Sequence, residues 1–422
     1  MDAFRIRGGR TLGGSTTVGG SKNAALPILA AALLIPGRIF LRRVPHLRDV
    51  VTMQRVLEHL GVVAGYEDHC FQVDATELTS HEAPWDMVRR MRASIYVLGP
   101  LLARLGKARV SLPGGCAWGP RPVDLHLRGM ELLGAKVSLD QGYVVAEAPK
   151  GGLRGAHISF DVSSVGATGN VMMAAVLAKG RTVIENAARE PEITALADFL
   201  IAAGAKIEGH GTTTIAIDGV EGLHPVEFEN IPDRIETGTI MAAIAITGGR
   251  AHLEGVRPDQ MAIVFDRLHD MGVGIEVEGR SLEVQGPERL RAIDLTTQVY
   301  PGFPTDLQAI FMALLCVADG TGVVKETIYS DRFSHVPELQ RLGANIKLDG
   351  PVARVTGVPK LTGAHVLSTD LRASCAMVLG GLVAEGETIV HRVYHIDRGY
   401  ERIEERLSTL GAEIDRFTEE GP

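Results

Sequence analysis

Two kinds of helix-like segment alternate along the chain, and they differ in where their apolar residues fall. One kind is apolar throughout, as in residues 23–34, 167–178 and 306–318, a pattern typical of helices buried on nearly all sides. The other is amphipathic, as in residues 49–60 and 401–410, and is expected to lie outside. A β-like run follows each kind, so the alternation predicts the α/β class.

Glycines punctuate this alternation with a single period. One glycine follows each amphipathic helix and another follows each apolar helix, at positions where a helix end favours a left-handed residue. Successive members of each series are 66–74 residues apart. Such fixed-period similarity indicates a repeated architecture, here six units of roughly 70 residues. The two series are Gly61, Gly134, Gly204, Gly272, Gly343 and Gly411, and Gly37, Gly106, Gly180, Gly249, Gly320 and Gly386.

The sixth unit is too short at the C-terminus, because only 11 residues follow Gly411. The missing strand is expected at the N-terminus, before the first apolar helix. Six units divide into three plus three, which predicts one domain of residues 22–231 and a discontinuous domain of residues 1–21 plus 232–422. Two crossovers would join these domains, with a cleft between them.

Composition excludes several classes of protein. The 422 residues are 45% hydrophobic and 22% charged, which excludes intrinsic disorder as the main state. The net charge of −8 disfavours a nucleic-acid partner. The longest apolar stretch, residues 24–36, is too short to span a membrane, and the N-terminus has no apolar signal segment. The expectation is a soluble cytoplasmic protein.

The cysteines and histidines give no metal signal. Cys70, Cys116, Cys316 and Cys375 are scattered, so neither a disulfide scaffold nor structural zinc is expected. Cys316 and Cys375 lie in apolar helices and are interpreted as small buried hydrophobes. Cys116 differs, because it lies in a Gly- and Pro-rich loop five residues before Arg121. A thiol close to a guanidinium is expected to be reactive.

The candidate chemistry is anion binding at helix N-termini. An arginine precedes each second helix, and Lys22 begins a buried helix, where a ligand phosphate would explain it. The alternative for each arginine is an ion pair or cap at the surface. Asp306 and Asp370 stand in equivalent places before buried helices, as a general base or as N-caps. The six arginines are Arg48, Arg121, Arg189, Arg257, Arg332 and Arg398.

Long motifs support a more specific hypothesis. The segments GGSKNAALPILAAALL, PGGCAWGPRPVDLHLRGMELLGA, PDRIETGT, PGFPTDLQA and HIDRGYERIEERLSTLGA resemble those of UDP-N-acetylglucosamine 1-carboxyvinyltransferases, a family of enolpyruvyl transferases. The resemblance runs over essentially the whole chain. It implies a two-domain inside-out α/β barrel built from six repeats, three per domain. It also implies transfer of the enolpyruvyl group of phosphoenolpyruvate to the 3-hydroxyl of UDP-N-acetylglucosamine (UDP-GlcNAc), with release of phosphate.

The implied reaction is the first committed step of peptidoglycan synthesis, by addition and then elimination, without cofactor or metal. The resemblance gives catalytic roles to Cys116 as proton donor, Asp306 as base, and Lys22 and Arg398 as anion ligands. Cys116 would also be the target of fosfomycin. The substrate-binding set that it implies is Lys22, Asn23, Arg92, Arg121, Pro122, Val123, Asp124, Leu125, Ser164, Val165, Gly166, Asp306, Ile328, Arg332, Asp370, Arg372 and Arg398.

Two positions depart from the family pattern. Trp118 replaces a smaller aliphatic residue, and Val162 stands near a position that is basic in some members, so a diphosphate contact there is in doubt. Two alternatives stay open. One is transfer to shikimate 3-phosphate, which uses the same fold and chemistry. The other is a catalytically silent paralogue that binds UDP-GlcNAc.

Overall fold

The computed structural model describes residues 1–89, 91–112 and 123–419. The strands are β1 Asp2–Arg7, β2 Gly13–Thr17, β3 Arg38–Arg42, β4 Val63–Glu67, β5 Cys70–Asp74, β6 Glu82–Ala83, β7 Lys107–Ser111, β8 Lys136–Asp140, β9 Tyr143–Glu147, β10 His157–Ser159, β11 Arg181–Glu185, β12 Lys206–Glu208, β13 Thr214–Asp218, β14 Glu227–Glu229, β15 Arg250–Glu254, β16 Gly274–Glu278, β17 Ser281–Gln285, β18 Leu295–Thr296, β19 Thr321–Lys325, β20 Asn345–Asp349, β21 Val352–Thr356, β22 Leu361–Thr362, β23 His365–Leu367, β24 Ala384–Glu385, β25 Glu387–His391 and β26 Glu413–Thr418.

The α-helices are α1 Lys22–Ala31, α2 Arg48–His59, α3 Trp85–Val88, α4 Leu98–Leu105, α5 Asp124–Leu132, α6 Val165–Ala175, α7 Pro191–Ala202, α8 Arg234–Ile246, α9 Ala262–Asp270, α10 Gln308–Val317, α11 Val336–Arg341, α12 Ser374–Val383 and α13 Ile403–Thr409. Short 3₁₀ turns include Arg92–Val97, Thr305–Leu307 and Val393–Arg398.

The chain forms two compact units. One contains Met1–Gly19 together with Pro232–Pro422, and the other contains Gly20–Ile231. We call them the discontinuous unit and the continuous unit. The repeats predicted one folding domain of residues 22–231 and a second of residues 1–21 with 232–422. That division into folding domains stays a prediction.

Each repeat gives a buried helix, a strand, a second helix and an antiparallel hairpin. The strand after the buried helix pairs antiparallel with the hairpin and parallel with a short strand from another repeat, so the predicted α/β repeat is confirmed. The sheets of the continuous unit are β14-β3-β5-β4, β6-β7-β9-β8 and β10-β11-β13-β12. Those of the discontinuous unit are β2-β15-β17-β16, β18-β19-β21-β20 and β23-β25-β1-β26, together with the two-stranded sheet β22-β24.

The short strands link the three repeats of a unit into a ring. In the continuous unit, β6 passes to the second sheet and β10 to the third, and β14 returns to pair with β3 of the first. In the discontinuous unit, β18 pairs with β19 of the second sheet and β23 pairs with β25 of the third. The strand β2 pairs with β15 of the first sheet and so closes the ring. Among the described residues, the strands form separate small sheets and do not join into one continuous barrel wall.

The N-terminal strand completes the sixth sheet. β1 lies between β25 and β26, and Phe4 is opposite Val390 on one side and Arg416 on the other. The prediction that the N-terminal residues supply the missing strand of the last repeat is confirmed.

The apolar helices are buried as predicted. α8, α10 and α12 contact one another, and nearly all of their residues are inaccessible. The expectation that second helices are amphipathic and lie outside is wrong for α7. Eight of its residues are buried, because its sequence is apolar on all sides and it packs against α1.

Eleven of the twelve repeat glycines adopt the positive φ expected at helix ends. Gly249 is the exception, and its neighbour Gly248, with φ 65°, has the left-handed conformation instead. A Cβ on Gly249 would lie 2.3 Å from the carbonyl oxygen of Leu12, so close backbone approach explains that glycine. No helix within the described ranges combines the length and apolarity needed to cross a membrane.

Candidate functional site

The discontinuous unit places Arg332 between two other predicted residues, Asp306 and Asp370. Arg332 is 6% exposed and lies on the loop before α11. Its Nη1 is 2.8 Å from Asp306 Oδ1 and its Nη2 is 3.7 Å from Asp370 Oδ1. Burial disfavours the guanidinium charge, but the two carboxylates outweigh burial and raise the pKa of Arg332 above its ordinary value. The structure therefore brings Asp306, Arg332 and Asp370 together.

Asp306 and Asp370 differ in what their carboxylates do. Asp370 is buried, and its Oδ1 accepts hydrogen bonds from the backbone N–H groups of Arg372 (2.8 Å) and Ala373 (2.7 Å) just before α12. These bonds hold the turn before α12, whose N-cap position is Ala373. The Asp306 side chain is 26% exposed, and its oxygens face Arg332 and, at 4.0 Å, Arg372 Nε. Of the two carboxylates, Asp306 is therefore the one whose geometry suits a general base.

Arg372 is the most deeply buried residue of this cluster. Its side chain is fully buried, and it donates to the Gly399 carbonyl oxygen (2.7 Å) and to Asp233 Oδ2 (2.9 Å). Burial favours the neutral form of Arg372, but Asp233, Tyr400 and Asp306 outweigh this and raise its pKa. Contact between Arg372 and substrate stays a prediction. In this structure the guanidinium donates to protein groups, the Gly399 carbonyl and the Asp233 carboxylate.

Asp233 is a residue that the sequence analysis missed. It caps α8, and its Oδ1 accepts from the backbone N–H groups of Ile235 (2.8 Å) and Glu236 (3.0 Å). Burial raises its pKa, but the charge and hydrogen bond of Arg372 and the two backbone donors leave it below the ordinary value. The available signal was its place in PDRIETG, directly before an apolar helix.

Glu326, which the sequence analysis also missed, follows β19 and is 2% exposed. Its Oε1 accepts from Thr297 Oγ1 (2.7 Å) and from the backbone N–H groups of Ile328 (2.8 Å) and Tyr329 (3.0 Å). Its Oε2 accepts from Thr305 Oγ1 at 2.9 Å. Ile328, a predicted substrate contact, is thereby tied to the turn that carries Asp306.

The arginines that precede the second helices do not share one environment. Arg398 is half-buried at the end of the 3₁₀ turn Val393–Arg398, whereas Arg48 is exposed. Arg257 binds Asp259 through two hydrogen bonds, at 2.9 and 2.8 Å. For Arg257 this contact favours the alternative of a surface ion pair, and anion binding by this residue stays a prediction.

In the continuous unit, Lys22 begins α1. Ser21 caps this helix by accepting from the backbone N–H of Ala24 at 3.3 Å. Lys22 is 5% exposed, and its Nζ is 3.5 Å from Asp49 Oδ2. Asn23 follows, half-buried. A buried ammonium requires a carboxylate partner, and Asp49 in the first turn of α2 is that partner.

A second helix N-terminus of the same unit carries the predicted nucleotide-sugar residues. Ser164 caps α6 by accepting from the backbone N–H of Ala167 (3.3 Å), and Val165 and Gly166 form its first turn. His126 lies against Gly166, its Nε2 2.9 Å from the position of an added Cβ. Burial lowers the pKa of His126 to about 4, so this imidazole is neutral at pH 7. Val162, close by, is 65% exposed.

His126 is oriented by Asn170. The Asn170 side-chain amide nitrogen lies 2.8 Å from the Ile95 carbonyl oxygen and 3.0 Å from His126 Nδ1, while its Oδ1 accepts from the Gly99 N–H at 2.7 Å. With that nitrogen as donor, Nδ1 is the acceptor and the imidazole proton lies on Nε2, facing Gly166. Asp124 and Leu125, also predicted contacts, form the preceding turn of α5.

The remaining predicted residues divide into those outside the described part of the chain and those within it. Cys116, Arg121 and Pro122, with Trp118, lie outside the described residues. Val123 directly precedes α5, and Arg92 opens the 3₁₀ turn Arg92–Val97.

The buried thiols behave as expected. Cys316 and Cys375 are fully buried, which confirms their interpretation as small hydrophobes, and burial raises the pKa of Cys316 to about 12. Within the described part of the chain, no group of three or more His, Cys, Asp or Glu side chains is arranged to hold a metal ion.

Comparison with known proteins identifies the family. Residues 6–407 match the family model of EPSP synthase (3-phosphoshikimate 1-carboxyvinyltransferase). A UDP-N-acetylglucosamine 1-carboxyvinyltransferase of Trichlorobacter lovleyi is 53% identical, with 99% of this chain and 100% of that protein aligned. One of Rhodospirillum centenum is 52% identical over the same shares of the two chains.

Solved structures agree. The crystal structure of the enolpyruvyl transferase NikO from Streptomyces tendae aligns with a TM-score of 0.89 at 28% identity, covering 99% of both chains. EPSP synthase from Acinetobacter baumannii aligns with a TM-score of 0.75 at 18% identity, over 99% of this chain and 100% of that one, and shows the same fold. With a matched family model, relatives about half identical along their whole length, and this shared architecture, the chain belongs to the EPSP synthase family of enolpyruvyl transferases.

Proposed function

We propose that the protein transfers the enolpyruvyl group of phosphoenolpyruvate to the 3-hydroxyl of UDP-GlcNAc and releases phosphate. The observation that carries this proposal is the 53% identity, over 99% of the chain, to a UDP-N-acetylglucosamine 1-carboxyvinyltransferase. The reaction is the first committed step of peptidoglycan synthesis, and we place it in the cytoplasm, with the two small molecules as the partners of the protein.

In the addition step, the sugar hydroxyl oxygen bonds to C2 of phosphoenolpyruvate. Asp306 takes the hydroxyl proton, and Cys116 gives a proton to the C3 methylene carbon. In the elimination step, the C2–O bond breaks and phosphate leaves with the electron pair, the Cys116 thiolate takes a proton from C3, and the double bond forms again. The partial exposure of Asp306, with its carboxylate directed by the Arg332 guanidinium, supports its assignment as the base.

Both substrates are anions, and the cationic residues are assigned accordingly. Lys22, Arg121 and Arg398 are assigned to the phosphate and carboxylate of phosphoenolpyruvate, and Asn23 and Arg92 are assigned to the same substrate. The buried ion pair of Lys22 with Asp49, with Nζ and Oδ2 3.5 Å apart, supports this, because the carboxylate compensates and directs an ammonium that lies where water is scarce. Fixed positive groups stabilise the charge that develops as phosphate departs.

The nucleotide sugar is assigned to two backbone segments and a helix start. Residues 121–125 and Ile328 contact the sugar nucleotide, and Ser164, Val165 and Gly166 at the N-terminus of α6 bind its diphosphate. The unpaired N–H groups of a helix start attract phosphate. The neutral His126, with its Nε2 proton facing Gly166, supplies a donor at the same place. The exposed Val162 contributes no charge there.

The test is phosphate release from phosphoenolpyruvate, measured with UDP-GlcNAc, with shikimate 3-phosphate, and without an acceptor. Release with UDP-GlcNAc alone is the expected result. Release only with shikimate 3-phosphate would overturn the acceptor assignment and keep the reaction type. Binding of UDP-GlcNAc without phosphate release under any condition would instead identify a silent paralogue.

A further inference from the structure

Glu326 joins three separate segments of the discontinuous unit. Its carboxylate, 2% exposed, receives four hydrogen bonds, from Thr297, Thr305, Ile328 and Tyr329, at 2.7–3.0 Å. A buried carboxylate is costly unless such donors satisfy it. The four hydrogen bonds to the Glu326 carboxylate therefore hold the three segments in one arrangement.

One of these hydrogen bonds continues towards Asp306. Thr305 Oγ1 donates to Glu326 and accepts from Arg332 Nη1 at 3.0 Å. The same Nη1 is 2.8 Å from Asp306 Oδ1. A continuous path of hydrogen bonds thus runs from Glu326 through Thr305 and Arg332 to the carboxylate of Asp306.

We propose that Glu326 is a positioning residue for enolpyruvyl transfer. Its hydrogen bonds from the backbone N–H groups of Ile328 and Tyr329 fix the segment assigned to the nucleotide sugar. Its hydrogen bond from Thr305 sets, through Arg332, the direction of the Asp306 carboxylate. These two sets of contacts are the two branches of the proposal. This inference rests on the proposed function. Charge matters because Oε1 alone receives three donors, and a carboxylate oxygen accepts hydrogen bonds roughly twice as strongly as a neutral one.

Two variants separate the branches. Thr305→Val removes the hydroxyl with little change of shape and leaves the Ile328 and Tyr329 bonds to Glu326 in place. It is expected to lower kcat by about tenfold or more, since misplacing a reacting group has large effects on rate, and to leave the KM for UDP-GlcNAc within about twofold.

Glu326→Gln affects both branches. Its amide nitrogen would face the Thr305 hydroxyl or the two backbone donors, and its single carbonyl oxygen accepts less strongly. It is expected to lower kcat by about tenfold and to raise the KM for UDP-GlcNAc by about fivefold or more, with the KM for phosphoenolpyruvate within about twofold.

Asp294→Asn is the matched control. Asp294 directly precedes β18 and is exposed, and its Oδ1 accepts one backbone N–H, that of Val323 in β19, at 2.8 Å. The control therefore alters a carboxylate beside the same strand pair but at an exposed position. Its kcat and both KM values are expected to stay within about twofold of the wild type.

Steady-state phosphate release by the three variants and the wild type, normalised to the folded fraction by circular dichroism, is the experiment. A lower kcat in both Thr305→Val and Glu326→Gln, with a higher KM for UDP-GlcNAc in Glu326→Gln alone, supports the proposal. A lower Tm with unchanged kcat and KM values would make Glu326 merely structural and overturn it. A wild type that releases no phosphate with UDP-GlcNAc would instead overturn the proposed function, and this inference with it.

Discussion

The ion pair of Asp233 with Arg372 allows a quantitative prediction about stability. The two side chains are 4% and 0% exposed, and their charged atoms are 2.9 Å apart. Asp233→Asn removes the charge but keeps an oxygen that can still cap α8. The perturbation therefore isolates the ionic part of the contact and leaves the Arg372 guanidinium buried with less compensation.

The burial of both partners sets the magnitude. Removing one partner of a buried pair costs about 3–5 kcal/mol. For a unit of about 200 residues, each kcal/mol lowers Tm by about 2–4 °C, so Asp233→Asn is expected to lower Tm by about 6–20 °C. The control is Asp218→Asn, which breaks an equally short pair, Arg181 Nη1 to Asp218 Oδ2 at 2.8 Å, whose side chains are about half exposed. That pair is worth about 1 kcal/mol or less.

Differential scanning calorimetry of the two variants and the wild type is the assay. A loss of less than about 2 °C for Asp233→Asn, or a loss no greater than that of Asp218→Asn, would contradict the argument that burial sets the value of the pair. The double variant Asp233→Asn with Arg372→Met is expected to lose less than the sum of the single losses, because neither charge is then left alone.

Three further predictions concern Asp233, Asp306 and Cys116. Because the native pKa of Asp233 is below its ordinary value, its ionised form adds stability that is complete above about pH 4 and is lost as the pH falls through the native pKa; acid titrations of Tm are expected to fall less steeply for Asp233→Asn than for the wild type. Asp306→Asn is expected to bind UDP-GlcNAc normally, by calorimetric titration, and to lose about a hundredfold in turnover; near-normal turnover would remove the base role. Fosfomycin is expected to add its mass to the protein through Cys116 and to stop phosphate release, whereas an unchanged intact mass after treatment in the presence of UDP-GlcNAc would contradict the assignment of that thiol.

Much of the fold could be predicted because it repeats. Helix-ending glycines and apolar helices recur with one period, and a residue count alone placed β1 in the last sheet. The exceptions are local. Gly249 is required by the approach of the Leu12 carbonyl rather than by its own φ. α7 is apolar on all sides and packs against α1, so the expectation taken from its place among the second helices, rather than from its own sequence, was wrong.

The candidate site was only partly predictable. Position within the repeat treats Arg257 and Arg332 as equivalent, yet one pairs with Asp259 at the surface and the other binds Asp306 in the interior. Asp233 and Glu326 escaped notice because their importance comes from burial beside donors that are distant in sequence. An isolated Glu before Thr-Ile-Tyr is unremarkable until Thr297 and Thr305 are brought to it.

The ring of strands has a consequence for biosynthesis. β1 pairs with β25 and β26, so Phe4 leaves the ribosome long before its partners Val390 and Arg416 exist. At about 5–20 residues per second, the N-terminal segment waits about 20–80 s with its backbone unpaired. The β14–β3 pairing, by contrast, needs only the first 229 residues. The continuous unit can therefore close its ring while translation continues, whereas the last sheet of the other unit forms only once nearly the whole chain has been made.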